Sequence, residues 1–495
     1  MSDLSVKYED SVDIKVECER GIAKELSDYF TFKVPGHQYM PSYKNKMWDG
    51  QIKLYNIYAQ TLYAGLLDYV IRFAEDRNYS IEVDKELKEE KKKINLDAFL
   101  SLMKLSVSGK EIEPYEHQKT AINYVMHNDR CLLLSPTGSG KSLIIYCLMR
   151  HYLNILPEDK KVLIIVPTTS LVTQMLSDFE DYSKKDSWGA KQNCHAVMAG
   201  KDKDYPRKRV IISTWQSIYK MRKPYFDKFG AVFGDECHLF KAKSLTSIMT
   251  KLKDCPYRVG TTGTLDGTQT HKLVIEGLFG PVFDVTSTKE LMNKDLLSKL
   301  KIDTILLKYS DEDKKEIKRA KYQDEMDWLV KHKGRNDFIS DMTINLKGNT
   351  LVLFQYVEKH GKVIHSIIEE KAKDRKVFFV HGGTDVETRE KVRQITEKEE
   401  DAIIVASYGT FSTGISIRRL HNIIFASPSK SRVRVLQSIG RQLRKSEHKD
   451  VARLYDIGDD LSWKSWKNHT LRHFLERIKI YESEKFDFAS VMIRI

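Results

Sequence analysis

The chain has 495 residues, which is more than one ordinary domain holds and predicts about three domains. Hydrophobic residues make up 41% and charged residues 31%, a balance that excludes an intrinsically disordered protein. The 82 Lys and Arg outnumber the 69 Asp and Glu, and the formal charge of +13 favours a polyanionic partner such as nucleic acid.

Cysteine usage and hydropathy indicate the compartment. Six cysteines lie at positions 18, 131, 147, 194, 237 and 255, with no C-x-x-C pair and no histidines at zinc spacing. They are therefore expected to be reduced, mostly buried thiols. The N-terminus begins with charged residues, and no stretch approaches the roughly 18 apolar residues of a membrane span. We expect neither a signal peptide nor a membrane anchor, and a cytoplasmic location.

The first 108 residues predict a small α+β domain followed by a linker. Residues 1–85 alternate short apolar and polar runs around a helical stretch at 21–30. The charged run 84–93 is typical of a solvated helix or linker, and a helical segment leads on to Gly109.

Two later series of short apolar runs predict two α/β domains, at residues 109–280 and 346–495, the second with a helical C-terminal tail. Each run is short enough for a buried parallel strand, and polar loop residues follow it. The runs are 131–135, 162–166, 210–213 and 231–234 in the first series, and 351–354, 377–380, 402–406 and 422–426 in the second. Residues 281–345 between them, with the charged stretch 311–321, are interpreted as an inserted helical or linker segment that joins the two lobes.

The strongest local motif is Ser135-Pro-Thr-Gly-Ser-Gly-Lys141-Ser142, which follows an apolar strand and precedes a helical run. Its glycines allow successive backbone N–H groups and the helix N-terminus to face phosphate oxygens. Lys141 is expected to reach the β- and γ-phosphates of ATP, and Ser142 to ligate Mg²⁺. Ser135 departs from the strict pattern, which has glycine there. The predicted phosphate-binding residues are Thr137, Gly138, Ser139, Gly140, Lys141 and Ser142.

A pair of carboxylates follows the apolar run 231–234 of the same series. A carboxylate at the end of a strand beside a phosphate loop can hold the Mg²⁺ shell, and its neighbour can orient and deprotonate the attacking water. We assign the first role to Asp235 and the second to Glu236. A solvated acidic turn is the alternative for a bare Asp-Glu pair.

In the second series, the segment Gln437-Ser-Ile-Gly-Arg441-Gln-Leu-Arg444 places two arginines on one face of a helix. Arg441 and Arg444 could reach the γ-phosphate across a cleft between the lobes, as arginine fingers do. Nucleotide held by one lobe and sensed by the other would couple hydrolysis to a change in lobe arrangement, which is the basis of a motor. Alone, such a pair is more typical of a surface ion-pair face.

Together these motifs resemble superfamily 2 helicases of the DExD/H type, over residues 114–446. The resemblance implies two RecA-like domains, ATP and Mg²⁺ as cofactors, and nucleic acid as the track. It implies an adenine-reading role for Gln118, catalytic roles for Lys141, Asp235, Glu236, Gln437, Arg441 and Arg444, and nucleotide contact at Gly414. The loops that would touch the nucleic-acid backbone contain Pro167, Thr168, Thr169, Thr214, Thr264 and Ser407.

Within that superfamily the chain resembles the UvsW family, the recombination helicases of T-even phages. The matching segments are Met47-Trp-Asp-Gly50, Ile165–Thr169, Asp235-Glu-Cys-His238, Val405–Gly409, Phe411–Ser416 and Glu484-Lys-Phe486. The family implies remodelling of branched DNA: R-loops, D-loops, Holliday junctions and stalled forks. It also implies an accessory nucleic-acid-binding role for the N-terminal domain, where Trp48 and neighbouring aromatic and basic residues could stack on a junction or divide between core and solvent.

The expected partners are branched DNA and RNA–DNA hybrids, with single-strand-binding or recombination proteins as further candidates, and the chain is expected to be a monomer in a cytoplasm, that of the host if it is phage-encoded. Two other functions stay open. One is the duplex-translocating subunit of a restriction or transcription-coupled system. The other is an annealing or structure-binding protein with a secondary ATPase.

Overall fold

A computed structural model describes residues 2–87, 94–198, 202–203, 205–265, 269–414, 417, 419–428, 431–443 and 451–495. The chain divides into two compact units. The first comprises Met1–Ser135 with Ser139–Thr286, and the second comprises Ser287–Ile495 with Pro136–Gly138.

The N-terminal domain is a small mixed sheet with helices, as its alternating pattern predicts. Its strands order as β5-β2-β1-β6, with β1 antiparallel to β2 and parallel to β6. Alternate residues such as Leu4, Val6, Ile14 and Val16 are buried, because successive side chains of a strand point to opposite faces. The elements are β1 (Leu4–Tyr8), β2 (Asp13–Cys18), α1 (Arg20–Tyr29), β3 (Thr31–Lys33), α2 (Pro41–Lys44), β4 (Gln51–Lys53), β5 (Thr61–Tyr63), α3 (Leu67–Arg77) and β6 (Ile81–Val83).

The first lobe is a parallel sheet whose described strands order as β11-β12-β10-β13-β14-β9-β15. Strand β10 is Val- and Ile-rich and buried along its whole length, as parallel strands covered on both faces are. A connecting segment contains α4 (Leu96–Leu102), β7 (Ser106–Val107) and β8 (Lys110–Glu111). The lobe contains α5 (Glu116–His127), β9 (Arg130–Leu134), α6 (Lys141–Ile155), β10 (Lys161–Val166), α7 (Thr169–Tyr182), α8 (Ala190–Asn193), β11 (Cys194–Val197), β12 (Val210–Thr214), α9 (Trp215–Ile218), α10 (Lys223–Phe226), β13 (Phe229–Asp235), α11 (Lys243–Met249), β14 (Tyr257–Thr262), α12 (Gln269–Phe279) and β15 (Val282–Asp284).

The N-terminal domain packs directly on the first lobe, within the same unit. Leu273 of α12 belongs to the hydrophobic core of the N-terminal domain. A Cβ on Gly65 would lie 2.1 Å from the carbonyl oxygen of Glu276, so only glycine allows this approach of the two backbones. Asp10 pairs with Lys253 at 2.8 Å, and Arg130 donates to the carbonyl oxygen of Ser11 at 2.7 Å.

The second lobe is a parallel sheet with the described order β18-β19-β17-β20-β21-β16-β22. Its elements are α13 (Thr288–Asn293), β16 (Lys299–Lys308), α14 (Asp311–Glu316), α15 (Tyr322–Leu329), α16 (Lys333–Asn345), β17 (Thr350–Phe354), α17 (Lys362–Lys371), β18 (Val377–Val380), α18 (Val386–Lys398), β19 (Ile403–Ser407), α19 (Tyr408–Gly414), β20 (Asn422–Phe425), α20 (Arg432–Gln442), β21 (Val451–Asp460), α21 (His469–Ser483) and β22 (Phe488–Arg494). The two α/β sheets and the preceding α+β domain confirm the predicted fold class.

The interpretation of residues 281–345 as a linker needs correction. Strand β16 lies inside the second sheet, paired with β21 along its whole length and with β22 on its other side. Leu300 and Ile302 are buried while Lys299 and Lys301 are exposed, which is the alternating pattern of a half-buried strand. Residues 282–284 also form a strand, β15, at the edge of the first sheet.

The cysteines follow the prediction. All six are free thiols; Cys18 is partly exposed and the other five are buried. Among the described residues no helix is long and apolar enough to cross a membrane.

Candidate nucleotide and nucleic-acid site

The predicted phosphate loop connects the end of β9 to the start of α6, so the strand–loop–helix context of the motif is present. Gly138 has φ +89° and Gly140 has φ +84°, both in the left-handed region that favours glycine. Gly140 is the residue that precedes the helix, and Lys141 and Ser142 form its first turn. The N-terminus of α6 therefore follows the glycine-rich turn directly, which is the arrangement that binds phosphate.

Ser135 has a structural role that explains the departure from glycine. Its hydroxyl lies 2.6 Å from that of Ser139, and its N–H donates to the carbonyl oxygen of Thr262 at 2.8 Å. The Lys141 ammonium donates to the carbonyl oxygen of Ser135 at 3.0 Å. Ser135 and Ser139 are both buried, and their contact braces the two sides of the loop.

Two side chains of α5 hold the loop from outside. Gln118 donates to the carbonyl oxygen of Ser139 at 2.9 Å, and His117 Nε2 lies 3.0 Å from the same oxygen. The Gln118 Oε1 accepts the N–H of Tyr115 at 2.9 Å, which caps the helix. A Cβ on Gly140 would lie 2.1 Å from Gln118 Nε2, so the glycine is required sterically as well as by its φ angle. Gln118, which is predicted to read adenine, thus also holds the phosphate loop in place through its hydrogen bond to Ser139.

The two carboxylates lie at the end of β13, next to the β14 strand that separates β13 from β9 in the sheet. Asp235 is buried and accepts a hydrogen bond from the Thr261 hydroxyl at 2.9 Å. Burial, with the Glu236 carboxylate beside it, raises the pKa of Asp235 above its ordinary value, while Lys141 opposes the rise. Glu236 has φ +50°, a left-handed conformation that costs about 1 kcal/mol for a residue with a side chain.

His238 lies between Glu236 and the predicted coupling segment 262–264. His238 Nδ1 lies 3.3 Å from a Glu236 carboxylate oxygen and 2.9 Å from the Thr262 hydroxyl. The Thr262 hydroxyl in turn donates to the carbonyl oxygen of Thr264 at 3.0 Å. The end of β14 and the segment that follows it are therefore hydrogen-bonded to His238, whose ring lies beside the Glu236 carboxylate.

The predicted backbone-contact residues of the first lobe differ in exposure. Thr169 is exposed and Pro167 and Thr168 are partly exposed, and the Thr168 hydroxyl caps α7 by accepting the N–H of Leu171 at 3.4 Å. Thr214 is buried, with its hydroxyl 2.9 Å from that of Ser217. Thr264 is buried too. Strands β10 and β12 are adjacent and parallel, so Pro167, which follows β10, and Trp215, which begins α9 after β12, lie at the same edge of the sheet.

In the second unit, helix α20 presents Gln437 and Arg441 on the face opposite its buried residues. Val435, Ile439 and Leu443 recur at helical spacing in the core, whereas Gln437 and Arg441 are partly exposed. Arg434 lies on the same open face, two turns before Arg441, with its guanidinium carbon 5.8 Å from the centre of the Tyr408 ring. Arg444 lies outside the described residues.

Ser407 and Gly414 bound helix α19. Ser407 ends β19 and is buried, with its hydroxyl 2.8 Å from the Thr410 hydroxyl, while Gly414 is the last residue of the helix. Residues 415–416 of the same predicted motif lie outside the described residues. In the N-terminal domain, Trp48 is partly exposed and its indole N–H donates to the carbonyl oxygen of Gln51 at 2.8 Å. More exposed are Tyr39, Met47 and Tyr58, at 74%, 76% and 96%.

Three residues have clear structural roles that the sequence alone did not predict. His117 contacts the phosphate loop, His238 contacts Thr262 beside the Glu236 carboxylate, and Tyr182 contacts Ser142. His117 and His238 adjoin predicted site residues, which is a usable signal. Tyr182 ends a helix 40 residues from its partner, and no local pattern marks it.

The first sheet has a phosphate loop and a strand-end carboxylate pair, and helix α20 of the second α/β lobe carries Gln437 and Arg441. These features define an ATP-dependent helicase of superfamily 2. The family models agree. Residues 111–267 match the model described as type III restriction enzyme, res subunit, and residues 334–446 match the helicase conserved C-terminal domain. Residues 3–84 match the model of the N-terminal domain of DNA helicase UvsW.

The chain belongs to the UvsW family of DNA helicases. It is 35% identical to the ATP-dependent DNA helicase UvsW of enterobacteria phage T4, over the whole length of both chains. It is similar to the crystal structure of T4 UvsW with a TM-score of 0.53, at 34% identity and 99% coverage of each chain. The DNA 3′-5′ translocase XPB2 of Sulfurisphaera tokodaii is 24% identical, across 85% of this chain and 93% of that one.

Proposed function

We propose that this helicase uses ATP hydrolysis to remodel branched DNA, namely R-loops, D-loops, Holliday junctions and stalled forks, in recombination, repair and replication. The observation that carries the proposal is the similarity to T4 UvsW over the whole chain, including the N-terminal domain as well as the two lobes. A motor core alone is shared by many unrelated helicases, so the N-terminal match is the part that favours this substrate class.

In the proposed reaction, the N-terminus of α6 and Lys141 bind the nucleotide phosphates, and Gln118 reads the adenine. Glu236 accepts a proton from the attacking water, for which its position beside Asp235 suits it. Arg441 and Arg444 stabilise the charge of the transferring phosphoryl group, and Gln437 lies on the same face of α20 as Arg441. Gly414 and the Ser407 segment are proposed to contact nucleotide and backbone.

The residues present fit a magnesium ion. Asp235 is a buried carboxylate whose charge is disfavoured by burial and by Glu236, and a divalent cation would compensate it. Ser142 and Asp235 would hold the ion together with phosphate oxygens, since Mg²⁺ is commonly bound by one or two protein oxygens plus substrate phosphates. When bound, the ion neutralises charge on the β- and γ-phosphates.

We propose that the nucleic-acid track contacts the first lobe at Pro167, Thr168 and Thr169. Thr169 is exposed, and Thr168 begins a helix whose N-terminus favours a phosphate. Thr214 and Thr264 are buried, which supports a role for their backbone segments more than for their hydroxyls. Residues 1–108 act as an accessory binding domain, where the exposed side chains of Tyr39, Met47 and Tyr58 lie on either side of Trp48 in the sequence.

The test compares ATPase stimulation and strand separation on single strands, linear duplex, an R-loop, a fork and a four-way junction. We expect the branched substrates to give the highest stimulation and unwinding. A preference for linear RNA duplex would overturn the proposed substrate. Two substitutions test the N-terminal domain in the full chain, Tyr39→Ala and Tyr58→Ala, because they change only exposed side chains. We expect them to weaken junction binding and to leave the ATPase on single strands intact.

A second function is favoured by one observation. Residues 111–267 match a family model described as type III restriction enzyme, res subunit, which favours the duplex-translocating subunit as the second candidate. A triplex-displacement assay on unbranched duplex separates the two functions. Efficient displacement with no preference for branched substrates would favour the duplex translocase. Strand annealing that is equal with and without ATP would instead favour a structure-binding protein with a secondary ATPase.

A further inference from the structure

The hydroxyl of Ser142, the proposed metal ligand, has a specific partner in the first lobe. It lies 3.1 Å from the phenol oxygen of Tyr182, and either group can donate the hydrogen bond. Ser142 lies in the first turn of α6, and Tyr182 is the last residue of α7. Helices α6 and α7 therefore meet at Ser142, the side chain that is proposed to ligate the metal.

The position of Tyr182 is fixed from two sides. Its ring packs against the ring of Tyr146, with centroids 5.6 Å apart. The preceding residue, Asp181, accepts hydrogen bonds from the Ser106 hydroxyl at 2.6 Å and from the N–H of Ser108 at 2.8 Å. The end of α7 is thus bonded to the β7–β8 hairpin and packed on α6.

A phenol hydroxyl at this distance suits a serine that ligates a cation. A serine hydroxyl has one proton and two lone pairs, and it rotates among staggered positions unless a partner fixes it. When one lone pair faces a cation, the proton needs an acceptor on another side. The Tyr182 oxygen can accept that proton in a hydrogen bond, and it leaves a lone pair of Ser142 available.

Building on the proposed metal site, we propose that Tyr182 is a positioning residue, which orients the Ser142 hydroxyl so that its lone pair is available to Mg²⁺. Tyr182 itself touches neither metal nor nucleotide in this scheme. Its role resembles that of the groups that hold metal-ligating histidines in place and raise metal affinity by fixing the ligand. The phosphate contacts of the loop do not depend on it.

The test uses Tyr182→Phe, which removes the phenol oxygen and keeps the ring. The binding of a fluorescent ADP analogue to the full chain is measured at equilibrium with Mg²⁺ and with EDTA, so that no turnover is involved. We expect the affinity with Mg²⁺ to fall about 3- to 10-fold, as for the loss of one hydrogen bond, and the affinity in EDTA to stay unchanged.

The matched control is Tyr146→Phe. It removes a phenol oxygen from the same aromatic cluster, where the partner is Arg150 at 2.8 Å rather than Ser142. We expect it to leave both affinities unchanged. In a Ser142→Ala background, Tyr182→Phe should have no further effect on Mg²⁺-dependent binding, since the hydroxyl that it orients is gone.

The outcomes separate this proposal from the metal site on which it rests. An ADP affinity of the wild-type protein that does not respond to Mg²⁺ would overturn the metal site and the role of Tyr182 with it. A wild-type response that Tyr182→Phe retains in full would overturn the positioning role alone. Equal losses with Mg²⁺ and with EDTA would also overturn it, because they indicate a general disturbance of the loop.

Discussion

Replacing Gly140 with alanine tests the geometry of the phosphate loop directly. Gly140 has φ +84°, where an added Cβ costs about 1–2 kcal/mol in backbone strain. The new Cβ would lie 2.1 Å from Gln118 Nε2, so the Gln118 amide must move and lose its hydrogen bond to Ser139, at a further cost of about 1 kcal/mol. We expect the strain and the lost hydrogen bond together to weaken nucleotide binding by about 2–3 kcal/mol, which is a fall of about 30- to 150-fold in affinity.

The assay is equilibrium binding of a fluorescent ATP analogue by Gly140→Ala, alone and combined with Gln118→Ala. The double variant lacks the clashing amide, so the additional loss caused by Gly140→Ala should shrink to the strain of the left-handed backbone. Gly21→Ala is the control, since no atom lies within 4 Å of a Cβ at that position and its φ is not positive. Wild-type affinity in Gly140→Ala would refute the loop geometry. An equal loss in both Gln118 backgrounds would refute the clash.

The remaining predictions concern catalysis and pH. Lys141→Ala should abolish DNA-stimulated ATPase and strand separation while DNA binding stays largely intact in a filter or anisotropy assay; a fully active variant contradicts the assignment. Arg441→Ala should keep ATP binding and lose hydrolysis by about 10³-fold, in the range for arginine fingers, and unchanged single-turnover rates would remove that role. The same holds for Arg444→Ala. Burial and the Asp10 carboxylate raise the pKa of Asp13 to about 6, above its ordinary value of 3.8. The folded state therefore loses stability relative to the unfolded chain as the pH rises from 3.8 to about 6. Asp13→Asn should therefore be more stable than wild type by about 1 kcal/mol at pH 7.5, after allowance for partial exposure, and the difference should vanish near pH 4 in denaturant unfolding. A difference that is constant with pH would contradict the raised pKa.

The predicted strands and the site motifs were found because both depend on local patterns. The runs 162–166 and 210–212 are apolar along their whole length, and the structure buries both, in β10 and β12. Strand β16 is not a wholly apolar run, because exposed lysines alternate with buried leucine and isoleucine, and so the search for uninterrupted apolar runs does not mark it. Its place in the second sheet depends on pairing with β21 and β22, which begin far along the chain at Val451 and Phe488.

The sequence by itself determined the two α/β domains, the phosphate loop and the carboxylate pair, because each depends on residues that are neighbours in the chain and on the periodicity of buried strands. Only the tertiary structure decided which side chains support them. Gln118 and His117 meet the carbonyl oxygen of Ser139 from about 20 residues away, and Tyr182 meets Ser142 across 40. Such contacts form where the sheet brings the ends of separate helices together, and no spacing in the sequence encodes the distance between them.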